Sequence, residues 1–510
     1  MKNIHYKVYY FIIFLSFSLL FVNCSKNDDD NNNQEIPETP ETPEPITLNN
    51  QVHDFVWSGL NEIYLWQQDV PNLASSKKNN QDDYFTFLNS YNAPEDLFDD
   101  MLYQPGIVDK FSFLVNDYIA LENSFQGISL SNGLDFRLVR FSGSDNIFGY
   151  VRYVANNSDA SSKNIKRGDL FLEVNNQQLT INNYRNLLFG DNNTYTLNLA
   201  EISNNSVTLT GETVELTKSE FTENPILINK VLEINGSKIG YLMYNSFIAN
   251  FDNQLNDAIT SLKNQGITDL VLDLRYNPGG RVSSAIILSS MITGQFHQQV
   301  FSKEIWNNKY QAYFEANTPE SLVNRFTNTL LDNTPITSLN LNKVYILTTE
   351  ASASASELVI NGLSPYIDVV QIGTATTGKY TASVTLYDSE DFSKDNVNPN
   401  HTYALQPLVL KSANADGITD YNNGLQPDYT ITYTTSNGEA QGEDIANLGV
   451  LGNENEPFLA KAIELITGTT TKLTKKSKDQ LLMPIKHVKN SKDFAPLGNE
   501  MYIDGLNLIK

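Results

Sequence analysis

Cysteine is almost absent: the 510 residues contain one, Cys24. A lone thiol closes no intramolecular disulfide and builds no cysteine zinc site. Histidine is scarce too. His5, His53, His297, His401 and His487 are the full set, and none stands in an HExxH or other paired-ligand spacing, so neither a metal nor an organic cofactor is expected. No GxSxG elbow supports a Ser-His-Asp hydrolase. Positive charge is in deficit, with 35 Lys and Arg against 59 Asp and Glu for a net charge of −24. Such a surface repels nucleic acid, which is excluded as a partner.

Long apolar runs are missing except for Tyr9–Val22, behind the basic residues Lys2 and Lys7. That run is short for a membrane span and suits the apolar core of an export signal over residues 1–23. Cys24 follows directly. Its place resembles the lipid-modified cysteine of bacterial lipoproteins, although Phe21-Val22-Asn23 departs from their usual Leu, small, small pattern. Ser25-Lys26-Asn27-Asp28-Asp29-Asp30 resembles the export tag of Bacteroidetes-type surface lipoproteins. These resemblances imply lipidation at Cys24 and an exported, outer-membrane lipoprotein facing the periplasm or the cell surface. Residues 24–49 have almost nothing to bury and read as a disordered tether.

Apolar residues then recur at helical spacing over 50–124, from Val52, Phe55 and Val56 to Leu60, Ile63 and Tyr64, and Pro94-Glu95-Asp96 starts a further helix. Residues 125–218 carry short β-type runs, Phe136–Phe141, Gly149–Val154, Leu170–Val174 and Tyr195–Leu199. Across 219–466 continuous apolar strands (Ile239–Phe247, Leu270–Leu274, Val344–Leu347, Val369–Ile372) alternate with helices, including Val282–Ile292, which ends near Gly294. This pattern predicts a largely parallel, buried sheet. Residues 467–510 are polar and lysine-rich and read as a solvated extension.

Chemistry concentrates between Thr349 and Lys379, where a buried strand gives way to a helix. Small residues there let backbone and substrate approach closely, and a serine at a helix N-terminus sits where negative charge is favoured. Ser354 and Glu357 also fit a capping box, S-x-x-E, which gives the serine a purely structural alternative. Lys379 follows a loop, Gly373–Gly378, that holds no acidic residue. If buried without a carboxylate partner, its amine should have a depressed pKa and could take a proton; the alternative is a surface lysine in a polar loop. The same stretch nearly spells a phosphate-binding loop, but Tyr380 replaces the required Ser or Thr, so no nucleotide is expected.

Ser352-Ala353-Ser354-Ala355-Ser356-Glu357 with Gly378-Lys379 resembles the catalytic region of the C-terminal processing (tail-specific) peptidases. Asp273-Leu274-Arg275-Tyr276-Asn277-Pro278-Gly279-Gly280, Gly424–Asp428 and Leu459–Ala462 resemble further family segments in the same order. The resemblance implies Ser354 as nucleophile and Lys379 as general base, with backbone N–H groups of Gly279 or Gly280 and of Ala355 as the oxyanion hole. Many family members carry Gln four residues after the lysine. Here that position is Ser383, so Ser383 or Glu357 is the expected orienting group.

Ala160–Leu179 resembles the PDZ domain, and Gly133-Leu134-Asp135-Phe136 its carboxylate-binding loop, with Gly127-Ile128-Ser129-Leu130 as a rival. The implied fold is multidomain α/β: a helical N-terminal segment, a PDZ-like β domain and a crotonase-like α/β catalytic core. The implied partners are protein or peptide substrates with accessible C-termini, and the membrane through the N-terminal lipid. A PDZ-containing surface lipoprotein that binds peptides without turnover is the alternative.

Overall fold

The computed structural model describes residues 45–435, 438–469, 485–494, 498 and 500–503. The export signal, Cys24 and most of the tether lie outside the described residues. From residue 46 on, the chain forms one unit.

The helix Gln51–Ile63 starts at Asn50, whose side chain accepts the Val52 N–H, and it buries Val52, Phe55, Val56, Trp57, Leu60 and Ile63. This is the face marked out by the apolar spacing. After the helix Pro94–Asp100, Asp109 accepts hydrogen bonds from Tyr64 Oη and from the N–H groups of Phe111 and Ser112. That turn, held by the buried Asp109, directs Phe111 toward Lys379 of the α/β core.

A β domain follows. Its sheet runs, in spatial order, through Ile485–Asn490, Leu134–Phe141, Ile147–Val154, Leu170–Val174, Thr194–Ser203 and Ser206–Thr217, with antiparallel neighbours throughout. Side chains alternate between two apolar clusters. Phe136, Leu138 and Phe171 pack with Tyr184 and Leu188 of the helix Tyr184–Phe189, whereas Val139, Phe148 and Tyr150 pack on the other side. Period-two alternation of this kind marks a sheet with both faces covered.

The α/β core holds a six-stranded sheet in the order Ile226–Ile234, Ser237–Tyr244, Asp269–Asp273, Lys343–Thr348, Asp368–Gly373, Tyr429–Thr430. All pairs are parallel except the first. Its strands are apolar on both faces, as a helix-covered parallel sheet requires. Leu242, Leu270 and Leu272 face one cluster with the helices Asp252–Asn264 and Val282–Thr293, while Tyr241, Val271 and Leu347 face the helix Pro457–Thr467. Gly294 ends its helix at φ 67°, a left-handed cap that glycine adopts without strain.

A second sheet decides the geometry of the site. It runs Gly280–Arg281, Met501–Tyr502, Thr381–Ser383, Leu408–Asn414, Val300–Trp306, Val323–Arg325. The solvated extension expected after residue 467 is therefore corrected for its described part. Ile485–Asn490 pair with Phe141–Arg137, and Met501 is fully buried between two core strands. Strand addition uses main-chain groups, so alternate lysines remain outside and composition conceals the pairing.

Candidate functional site

Ser354 lies between the strand Lys343–Thr348 and the helix Ala355–Leu363. Neighbouring serines tie this turn to the loop after Asp269–Asp273: Ser352 Oγ donates to Leu274 O at 2.8 Å and Ser356 Oγ to Asn277 O at 3.0 Å. Ser354 itself has φ 64° and ψ −116°. A side-chain-bearing residue held there costs about 1–3 kcal/mol, and such strain gathers at functional sites. Its Oγ is buried and has no hydrogen-bond partner among the described residues.

Lys379 is completely buried, with Nζ 2.7 Å from Glu500 Oε2 and 4.7 Å from the centre of the Phe111 ring. Burial pulls the lysine pKa below its ordinary value, and the Glu500 carboxylate opposes that pull. Burial likewise raises the Glu500 carboxyl, against the effect of Lys379. The expectation of a lysine without a carboxylate partner is thus corrected. The loop has no acid, but one arrives from 121 residues further along.

Glu357 explains how the two loops meet. Its Oε2 accepts the backbone N–H groups of Ser354 (2.7 Å) and Lys379 (2.8 Å), and Oε1 accepts Thr376 Oγ1 (2.5 Å) and the Gly378 N–H (2.6 Å). Burial pushes its pKa up to about 7, against the pull of these donors. Glu357 therefore positions main chain rather than the lysine amine. It also fills the cradle that a phosphate would need in a nucleotide-binding loop. Glu357→Gln leaves one acceptor oxygen for four donors, so we expect a loss of about 3 kcal/mol in a urea melt. A change under about 0.5 kcal/mol would contradict this role.

Ser383 Oγ donates to Met501 O at 3.1 Å, lies 3.4 Å from Glu500 Oε2, and accepts Gln406 Nε2 at 3.0 Å. Sequence reasoning missed Gln406, because it reaches this position from a separate strand, Ala404–Gln406.

Gly279 faces the serine and Gly280 packs on Phe247, at φ 115° and 133°, conformations open to glycine. A Cβ on Gly279 would lie 2.6 Å from Ser354 Cβ and 2.8 Å from its Oγ. The Gly279 N–H already donates to Asn277 Oδ1 at 2.9 Å. The Ala355 N–H opens its helix, and first-turn N–H groups of a helix lack internal acceptors.

Of the residues expected to bind peptide, Asp135 is turned inward to Arg152 at 2.5 Å, and the Phe136 N–H donates to Ser491 Oγ at 3.1 Å. All four, Gly133, Leu134, Asp135 and Phe136, line a cavity of about 390 Å³ together with the rival Gly127–Leu130 stretch, Pro278 and Phe494. The two sequence candidates thus share one cavity, and it reaches the Gly279 loop through Pro278.

Comparison with known proteins gives a consistent result. The model of peptidase family S41 matches residues 238–431, and that of the S41 N-terminal domain matches residues 51–113. A carboxyl-terminal-processing protease of Picosynechococcus sp. is 30% identical over 170 residues, 33% of this chain and 36% of the relative. The carboxy-terminal processing protease CtpA of Bacillus subtilis is 26% identical over 280 residues, 53% of this chain and 50% of the relative. The matches thus span about a third to a half of those relatives' own length. A crystal structure from Bacteroides fragilis NCTC 9343 assigned to the S41 proteases superimposes with a TM-score of 0.62 at 26% identity, covering 81% of this chain and 97% of that one. The α/β core expected as crotonase-like agrees with this likeness.

Proposed function

We propose, on the premise that the chain belongs to peptidase family S41, that it is a serine endopeptidase with Ser354 as nucleophile and Lys379 as general base. One observation carries the reading: a buried, unpartnered hydroxyl at a helix tip and a wholly buried amine, their backbones joined by one carboxylate. Ser354 Oγ attacks the scissile carbonyl carbon while its proton passes to the neutral Lys379 amine. The Gly280 and Ala355 N–H groups hold the oxygen as it gains charge. Lys379 then gives the proton to the departing amine, and water hydrolyses the acyl-enzyme by the same route in reverse.

The β domain supports a PDZ-like role, in which an extended polypeptide lies along the edge of Leu134–Phe141 that Ile485–Asn490 pair with, and is delivered to the cleft. We assign as substrates exported proteins with accessible C-termini. The Cys24 lipid would anchor the enzyme to a membrane. Incubation with an unfolded polypeptide should generate new N-termini, and a serine-directed electrophile should add to Ser354, both read by mass spectrometry. A protein that does neither, while binding peptides, is a binding module and not a peptidase.

A further inference from the structure

Residues 485–494 and 500–503 lie where a polypeptide substrate would run. Ile485–Asn490 lie antiparallel on the groove strand Leu134–Phe141. Ser491 Oγ donates to Asp135 Oδ2 at 3.1 Å, and the Phe494 ring sits 4.1 Å from that of Phe189, on the helix that flanks the groove. Lys492 Nζ donates to Asn245 O at 3.3 Å, which turns the segment toward the core. Met501–Tyr502 then form a strand between Gly280–Arg281 and Thr381–Ser383, two core strands that have no pairing with each other.

The register at the cleft is that of a peptide poised for attack. Met501 stands opposite Gly280. On the other edge the Phe247 N–H donates to Gly279 O, and the Arg281 N–H to Phe247 O. In a parallel ladder this leaves the Gly280 N–H turned to the Glu500 carbonyl. The Glu500 carbonyl oxygen and Ser354 Oγ both lie 2.8 Å from the place a Cβ on Gly279 would take. The Glu500 side chain, meanwhile, is on Lys379 Nζ at 2.7 Å.

We propose that Ile485–Phe494 and Glu500–Tyr502 are a tethered occupant of the substrate path, which fills the groove with one short strand and the cleft with another and ties up the catalytic amine through Glu500, so that a protein substrate must first displace it. The inference rests on the peptidase reading above. It gives Glu500 two effects: its main chain occupies the place of a scissile bond, and its carboxylate favours the protonated, inactive lysine. The charged groups acting on Lys379 are Glu500, Asp109 and Glu357, and the Phe111 ring covers the amine. Without the Glu500 charge, burial dominates and the amine loses its proton at lower pH.

The test compares the full chain with Phe494→Asp, which places a charge against the Phe189 ring, and with Glu500→Gln. Initial cleavage rates on an unfolded polypeptide are measured from pH 5 to 9, and amide hydrogen exchange is followed at 485–490. Phe494→Asp should remove exchange protection there and raise the rate at least about tenfold. Glu500→Gln should raise the rate at neutral pH and move the acid limb of its profile to lower pH. A purely structural role for Glu500 would not move that limb. Equal rates in all three with protection lost in Phe494→Asp, or no protection in the wild type, would overturn the inference alone. No cleavage by any of the three, with protection lost in Phe494→Asp, would overturn the peptidase reading and the inhibition with it.

Discussion

Exchange of Lys379 for Met is expected to lower kcat/KM on an unfolded polypeptide by about 10⁴-fold, and Ser354→Ala by at least as much, because nucleophile and base act as a unit. Methionine matches the lysine stem in length and carries no proton. It leaves Glu500 buried without its cation, and that carboxyl will take up a proton. Only the neutral amine accepts the Ser354 proton, so the wild-type rate rises with pH as Lys379 deprotonates and levels once it is neutral. Burial places this rise below the ordinary lysine value of about 10.4, and Glu500 opposes the shift. Lys379→Met should flatten the limb. A limb that survives in Lys379→Met belongs to another group and would remove Lys379 from the base role.

Gly279→Ala is expected to cost about 10²–10³-fold in kcat, comparable to loss of one oxyanion donor. The new methyl would stand 2.6 Å from Ser354 Cβ and 2.8 Å from Ser354 Oγ, closer than real Cβ contacts come. The backbone at φ 115° disfavours any side chain as well. Either Ser354 or the Asn277–Gly280 turn must move, and the Asn277 Oδ1 bond to the Gly279 N–H resists movement of the turn. The loss should fall on kcat more than on KM, because the clash is at the reacting hydroxyl and away from the groove. A Gly279→Ala variant within twofold of wild type would show that this loop does not face the chemistry.

Much of this arrangement was legible in the residues. Leu170–Val174 is a strand over the expected span, Gly294 caps the helix it was expected to end, and the strand-to-helix junction at Ser354 is where small residues pointed. These features are local: burial period, capping and turn chemistry act within a few residues. Glu500 and Gln406 were not legible. Each enters the site from a separate strand, and nothing near Lys379 in sequence carries a trace of them. The Asp135 ion pair was not legible either. An acid in a loop expected to receive a carboxylate makes sense only once Arg152, on the neighbouring strand, is seen to neutralise it. The groove-bound segment escaped because strand addition is written in main-chain atoms, which every residue supplies.

The Glu357 carboxylate has one further consequence. All four of its accepted bonds come from the two loops, three of them from peptide nitrogens. How far apart the main chains under the alcohol and the amine stand is therefore set by one carboxylate, as in a casting. None of these four bonds goes to the amine itself. The spacing of the two loops is thus built in at folding, while the proton on the lysine answers to whichever visitor lies in the cleft.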